Sequence, residues 1–371
     1  VTRWTEARRL QAIELSQTRR IMAAAPAGAI NLALGELGFE LPQVLKDKAI
    51  ELIRDNTPVY TPNAGIGELR AAVASSYQET LPEQVCVCNG AEEAAFVTLL
   101  ALLNPGDRIA IPDPDYSAYP AIASILEADI VRLPYTKDFC GFDPDLWRNL
   151  LSDKVKALIL SHPSNPAGFV FTESQARFLV DLCSMRGIHL VVDEIYRSLF
   201  FGQEPLSFSG MGEGVITLGG LSKSHCMSGW RLGWVIAPLA MMDSIVKARQ
   251  YVSTCSNWLS QHLGVFALSE EGLRAGRSVR EQLTSCRRVA LDCLKPHLDK
   301  VHAPSATPYL MLKVSGDDLD AARSLASKGV LCAPGSAFGE DSRGWLRINI
   351  AVDQTALQQA LKLVSHELYP H

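Results

Sequence analysis

Lys223 lies in the loop Leu221-Ser222-Lys223-Ser224-His225-Cys226-Met227-Ser228-Gly229-Trp230-Arg231-Leu232-Gly233. A lysine amine is a nucleophile and a proton acceptor once its surroundings hold it neutral near pH 7, which requires a depressed pKa. Asp193 ends the run Val191-Val192-Asp193 and is followed by Glu194-Ile195-Tyr196; Asn165 sits in Ser164-Asn165-Pro166-Ala167-Gly168. Asn89-Gly90 precedes Ala91 and Glu92, where the free N–H groups and the dipole of a starting helix suit an anion.

These residues need a scaffold that brings them together. The middle of the chain alternates short β-rich runs with helical runs, the mark of a largely parallel sheet covered on both faces. Strands are expected at Arg108 to Ile111, ending in the turn Pro112-Asp113-Pro114, and at Ala157 to Leu160, His189 to Val192, Val215 to Leu218 and Trp234 to Ile236. Helices are expected from Ala91 to Leu103, and from Thr172-Glu173 to Arg186 with Gly187 as the stop. Asn165, Asp193 and Ser222-Lys223 then all follow strands, and ligands of open α/β sheets bind at the carboxyl ends of the strands. The first forty residues and those after about 266 lose this rhythm, although Tyr309 to Val314 and Trp345 to Ile350 read as strands. The expected division is a large unit, 39–265, and a smaller α+β unit made of 1–38 and 266–371.

Bulk properties narrow the function. The 371 residues are 47% hydrophobic and 20% charged, enough for a sizeable core. A net charge of −5 without a basic stripe speaks against nucleic acid or an anionic membrane as partner. The Arg- and Gln-rich residues 1–20 lack the apolar core of a signal peptide, and no apolar run is long enough to span a bilayer. The nine scattered cysteines show neither C-x-x-C pairs nor zinc spacing, so no metal is expected. They read mostly as small buried apolar residues of a reducing cytoplasm; Cys86 and Cys88, two apart, would share one face if they lie on a strand. The first residue is Val1, so the native start need not be present.

The Lys223 loop, with Arg231 eight residues on, resembles the cofactor-attachment motif of the class I/II aminotransferases, pyridoxal-phosphate (PLP) enzymes of fold type I. Asp193, thirty residues before Lys223, and Asn165, twenty-eight earlier still, resemble that family's cofactor motifs in order and spacing. Leu34-Gly35-Glu36, Tyr60-Thr61-Pro62-Asn63-Ala64-Gly65, Pro334-Gly335-Ser336-Ala337-Phe338-Gly339 and Arg347 extend the likeness over about residues 30 to 365. It implies a mostly parallel seven-stranded sheet flanked by helices. It also implies a homodimer with shared active sites, acting on small-molecule amino acids and 2-oxo acids.

The resemblance assigns roles. Lys223 would carry PLP as a Schiff base and later act as general base at the substrate α-carbon. Asp193 would pair with the ring nitrogen and keep it cationic. Asn165 and Tyr196 would donate to the phenolic oxygen. Gly90, Ala91, Ser222 and Arg231 would hold the phosphate, with Tyr60 reaching in from the neighbouring subunit. Glu92 has the wrong charge for a phosphate, so its backbone N–H is the expected contact, with the carboxylate turned away. Tyr116 would stack on the pyridine ring. Gly35, Asn165 and Arg347 would receive the substrate, Arg347 gripping its α-carboxylate.

The reaction so implied is ping-pong transfer of an amino group from an L-amino acid to a 2-oxo acid. The same first contacts would serve a C–S lyase, another β-eliminating or cyclising enzyme, or a decarboxylase. An inactive regulator of the same fold would need an added DNA-binding domain, for which there is no room before residue 30. Gly220 stands where many relatives carry Ser, Ala167 where Thr is frequent, and Glu36-Leu37-Gly38-Phe39 replaces the commoner Glu-Pro-x-Phe. His225, two beyond the lysine, is not expected to be catalytic. No residue matches an arginine for a second, side-chain carboxylate, which argues against a dedicated aspartate enzyme.

Overall fold

The computed structural model describes residues 4–11 and 13–370. Residues 1–3, 12 and 371, assigned above to the smaller unit, lie outside the described residues. Seven strands form the main sheet: β1 (Val85–Cys88), β2 (Arg108–Asp113), β3 (Asp129–Pro134), β4 (Val155–Ser161), β5 (His189–Asp193), β6 (Val215–Gly220) and β7 (Gly233–Ile236). Their order is β1-β7-β6-β5-β4-β2-β3, with β7 antiparallel to both neighbours and the other ladders parallel.

Both faces of this sheet are covered, which is why its strands read as nearly unbroken apolar runs. Side chains alternate across it: Ile109, Ile111, Ile159 and Val191 pack in one layer, and Ala110, Leu158, Leu160, Leu190 and Val192 in the other. Cys86 and Cys88 share a layer, as the strand period requires. Each such buried aliphatic side chain contributes roughly 1.5–3 kcal/mol. Helix α1 (Ala91–Leu102) adds Ala94, Val97 and Leu99 to the first layer, and α2 (Glu173–Met185) adds Ala176, Leu179 and Leu182 to the second. At the start of α2 the Thr172 hydroxyl accepts from Gln175 N–H while the Gln175 side chain accepts from Thr172 N–H. Gly187 follows with φ 65°, the left-handed stop read from the sequence.

The expected strands and helices are present with ends shifted by a residue or two. One of the two-residue shifts is at β2, which runs through Pro112 to Asp113 instead of stopping at Ile111. Pairing with β4 ends at Ala110 while pairing with β3 continues to Asp113, so the ladder at Pro112 is one-sided and a missing N–H is tolerated there. Strands β1 and β3 have no counterpart among the expected strand ranges.

A four-stranded antiparallel sheet comes from the C-terminal part: β8 (Val301–His302), β9 (Tyr309–Lys313), β10 (Ala333–Pro334) and β11 (Trp345–Asn349), in the order β10-β11-β9-β8. The long helix α3 (Glu270–Cys293) and helix α4 (Gln354–Leu368) pack on it through Val279, Leu283, Leu357 and Leu361. Ile30–Asn31 pairs in parallel with Val330–Leu331, joining the two ends of the chain. Among the described residues no helix is long and apolar enough to cross a membrane. All nine cysteines are free thiols, five of them buried.

Candidate active site

One register position organises the site. Gly233, the first residue of β7, pairs with Cys88 at the end of β1 and with Gly220 at the end of β6. The chain before Gly233 carries Arg231, the chain after Cys88 carries Gly90 and Ala91, and the chain after Gly220 carries Ser222 and Lys223, so one crossing gathers all of them. The crossing needs glycine: a Cβ on Gly233 would lie 2.6 Å from Ala91 N. Likewise a Cβ on Gly220 would lie 2.7 Å from Leu232 O and 3.1 Å from Ile195 Cδ1, which explains the missing serine. On the next strands, Ser161 and Asp193 are register partners, and Asn165 follows Ser161.

A cavity of about 880 Å³ opens over these strand ends, lined by Ala91, Glu92, Tyr116, Asn165, Asp193, Tyr196, Ser222, Lys223, Arg231, Gly35 and Arg347 among others. Of the expected site residues only Gly90 and Tyr60 are not part of the lining. Gly90 is the residue before α1, with φ 95°, and a Cβ there would lie 2.7 Å from Arg231 Nη2. Tyr60 is 89% exposed, away from the cavity. His225 also stays out of it, with Nε2 3.1 Å from Gly272 O and Nδ1 2.7 Å from the Ser224 hydroxyl.

The electrostatics follow from burial and mutual charge. Lys223 is pushed down to about 8, first by desolvation and then by the charge of Arg347, against the opposing pull of Glu36. Its Nζ lies 5.9 Å from the centre of the Tyr196 ring. Burial pushes the Asp193 carboxyl up to about 6, opposed by hydrogen bonds from Ile195 N–H and Tyr119 Oη and by Lys223. Those bonds are 3.0 and 2.9 Å long. Tyr196 and Tyr309 share a hydrogen bond of 2.5 Å between their hydroxyls, so one of the two protons stays free to donate elsewhere. Burial also raises the Tyr196 phenol well above its usual range.

Arg347 is buried between the rings of Tyr309 and Phe338, its guanidinium 4.2 and 4.5 Å from their centroids. Nη1 donates to Asn165 Oδ1 at 2.8 Å, Nη2 donates to Ala33 O, and Nε has no partner. Arg231 has φ 50° and ψ 58°, a left-handed conformation uncommon for a residue with a side chain, and donates to Ser228 O at 3.0 Å. Glu36 accepts from the Ser228 hydroxyl at the cavity wall. Glu92 is exposed and lines the cavity on the first turn of α1.

Several lining residues escaped the sequence reading. Tyr119 lies one helical turn after Tyr116, a spacing that could have flagged it. Tyr309 and Arg19 come from distant segments and carry no local signal, while Phe338 stands in a motif of the resemblance without a role of its own.

The pattern shared by the family described as aminotransferase class I and II matches residues 27–364. The chain belongs to that family. This aminotransferase is 32% identical to the aspartate aminotransferase of Thermotoga maritima over 372 residues, 95% of this chain and 97% of that one. It is 27% identical to aromatic-amino-acid aminotransferase 2 of Thermococcus litoralis, with 95% of each chain covered. The solved structure of Thermus thermophilus aspartate aminotransferase with maleate superposes with a TM-score of 0.92 at 27% identity, covering 99% of this chain and all of that one. PLP is the cofactor of class I/II aminotransferases.

The residues of this aminotransferase fit PLP. A side chain at Gly90 would fill the space where the guanidinium of Arg231 meets the start of α1. The raised carboxyl of Asp193 marks a buried charge with too little positive compensation, which a cationic ring nitrogen would supply.

Proposed function

We propose that Lys223 holds PLP and moves the proton in an amino transfer between an L-amino acid and a 2-oxo acid, with Arg347 gripping the α-carboxylate of each. What carries this reading is that a lysine depressed to about 8, the carboxylate of Asp193 and the buried fork of Arg347 line one cavity. Bound PLP supplies an electron sink for Cα–H cleavage and carries the amino group between the two substrates.

The α-N–H groups at the start of α1 at Ala91 and Glu92, the Ser222 hydroxyl and the Arg231 guanidinium would hold the phosphate. Asp193 would hold the ring nitrogen, itself fixed by Tyr119 and Ile195. Asn165 keeps its Nδ2 for the phenolic oxygen while its Oδ1 is occupied by Arg347. The proton left over in the Tyr196–Tyr309 pair serves the same oxygen. Tyr116 would cover the ring. Gly35 leaves room at the substrate, since a Cβ there would crowd the hydroxyls of Tyr309 and Tyr196.

Lys223, neutral in an appreciable fraction near pH 8, would take the proton from the substrate Cα and hold it for return. Arg347, gripping the carboxylate, turns the Cα–H bond toward Lys223, and its aromatic sandwich keeps the fork from swinging.

We also take residues 39–265 and the two chain ends as separate units, a division supported by the Ile30–Asn31 pairing with Val330–Leu331. A second copy of the chain would supply its Tyr60 to the phosphate site, which fits an exposed tyrosine away from its own cavity. The free thiols fit a reducing compartment such as the cytoplasm.

The test is the absorption spectrum of the PLP-loaded enzyme before and after adding single L-amino acids without any oxo acid. Conversion of the visible band of the lysine-linked cofactor to the near-ultraviolet band of its amine form, with release of one equivalent of 2-oxo acid, is expected. A visible band that persists while ammonia accumulates would overturn the reading in favour of elimination.

A further inference from the structure

The segment Asp113-Pro114-Asp115-Tyr116 contains two buried carboxylates without a role in the reading above. Asp115 is 2% exposed and accepts three hydrogen bonds: from Ser161 N–H at 3.0 Å, from the Ser161 hydroxyl, and from Tyr116 N–H at 2.7 Å. With its only proton given to Asp115, the Ser161 oxygen is left as an acceptor, and it accepts from Asn165 N–H at 2.9 Å. Asn165 in turn accepts from Arg347 Nη1.

A second path starts from the same residue. The N–H of Asp115 donates to Phe338 O at 3.1 Å, and the Phe338 ring is one of the two that sandwich Arg347. Asp113 supports it by accepting from Glu340 and Asp341 N–H at 3.3 and 3.1 Å, which holds the loop that carries Phe338. Burying a carboxylate is costly, and here all three of its donors belong to the cavity floor. An asparagine of the same shape would turn an N–H toward at least one of those donors.

We propose that Asp115 is a positioning residue for the substrate carboxylate, its side chain holding the Asn165–Arg347 pair in its receiving orientation through Ser161. The proposal rests on the reading of Arg347 as the carboxylate fork. A merely structural role would instead weaken every ligand equally.

Two probes separate the cases: 2-methylalanine, which has no α-hydrogen to lose, and isopropylamine, the same molecule without its carboxyl group. Their affinities for the PLP-loaded enzyme are measured by calorimetry. The wild type should bind 2-methylalanine the more tightly. Asp115→Asn should weaken 2-methylalanine about tenfold while leaving isopropylamine within about twofold. Adding Asp115→Asn to Arg347→Ala should cost nothing further, because the two act on one interaction. Ser161→Ala, which keeps the carboxylate and removes only the relay hydroxyl, should shift 2-methylalanine in the same direction by less. Unchanged 2-methylalanine binding in Asp115→Asn, or equal loss of both probes, would overturn the proposal. A wild type that binds both probes alike would overturn the Arg347 reading itself.

Discussion

The sheet-edge residues of the cavity all come from loops that directly follow strands of the main sheet: Ala91 after β1, Tyr116 after β2, Asn165 after β4, Asp193 and Tyr196 at and after β5, Ser222 and Lys223 after β6. A second part of the lining comes from the two chain ends: Gly35 and Glu36 from the N-terminal part, Tyr309, Phe338 and Arg347 from the C-terminal part. The first set is fixed by strand register, since Gly233 and the Ser161–Asp193 pair leave little freedom. The second is fixed by side-chain contacts between distant segments, such as Arg347 with Asn165 and Ala33, and Tyr309 with Tyr196. The difference points to a division of labour in which the sheet edge retains the cofactor and the chain ends receive the substrate.

Substitutions in either set test that division. Lys223→Ala should bind PLP without the visible lysine-linked band and lose turnover by about two to four orders of magnitude, the scale of a lost general base. Normal turnover by this variant would end the comparison. Arg347→Ala should retain the band and PLP affinity yet lower kcat/KM for amino acids about a hundredfold, the scale of a misplaced substrate. Equal loss of cofactor affinity would mean that the chain-end set also holds PLP.

Capture of PLP by the apoprotein sharpens the sheet-edge side. The amine attacks only when neutral, and a pKa lowered to about 8 makes it neutral above that pH. The capture rate should therefore rise about fiftyfold between pH 6 and pH 8 and then level off. A rate still climbing steeply at pH 10 would indicate an ordinary lysine.

Tyr119→Phe removes one hydrogen bond to the carboxylate of Asp193 and should lower kcat about tenfold with KM for the amino acid nearly unchanged. Arg177→Ala breaks an exposed ion pair with Glu173 on α2, distant from either set, and should change neither kinetics nor Tm measurably.

The two sets also differ in how far they could be read from sequence. Lys223, Asp193 and Asn165 stand in short motifs just after β-rich runs, so local pattern and strand-end placement found them together, whereas Gly90 was read as the start of a helix. Strand β3 was missed because only Leu133 of it is buried and Asp129 and Arg132 interrupt its apolar residues, and β1 because its four residues Val85-Cys86-Val87-Cys88 are half cysteine. Arg347 and Gly35 were found through resemblance. Tyr309 was not, because it enters the site through a fold that joins segments far apart in the chain. Asp115 was visible only as a neighbour of Tyr116, since its hydrogen bonds cross to β4 and no spacing announces them. Gly220 shows the converse: its departure from serine was plain in sequence, but its cause, a backbone oxygen 2.7 Å from the position of a Cβ, is visible only in three dimensions.

The lysine assignment is tested most directly by reducing the PLP-loaded enzyme with borohydride, which fixes the cofactor to its amine, and mapping the digested peptides by mass spectrometry. The expected result is one pyridoxyl group per chain on the peptide that contains Lys223, absent from Lys223→Ala. A label on another lysine, or none on the Lys223 peptide, would contradict the assignment.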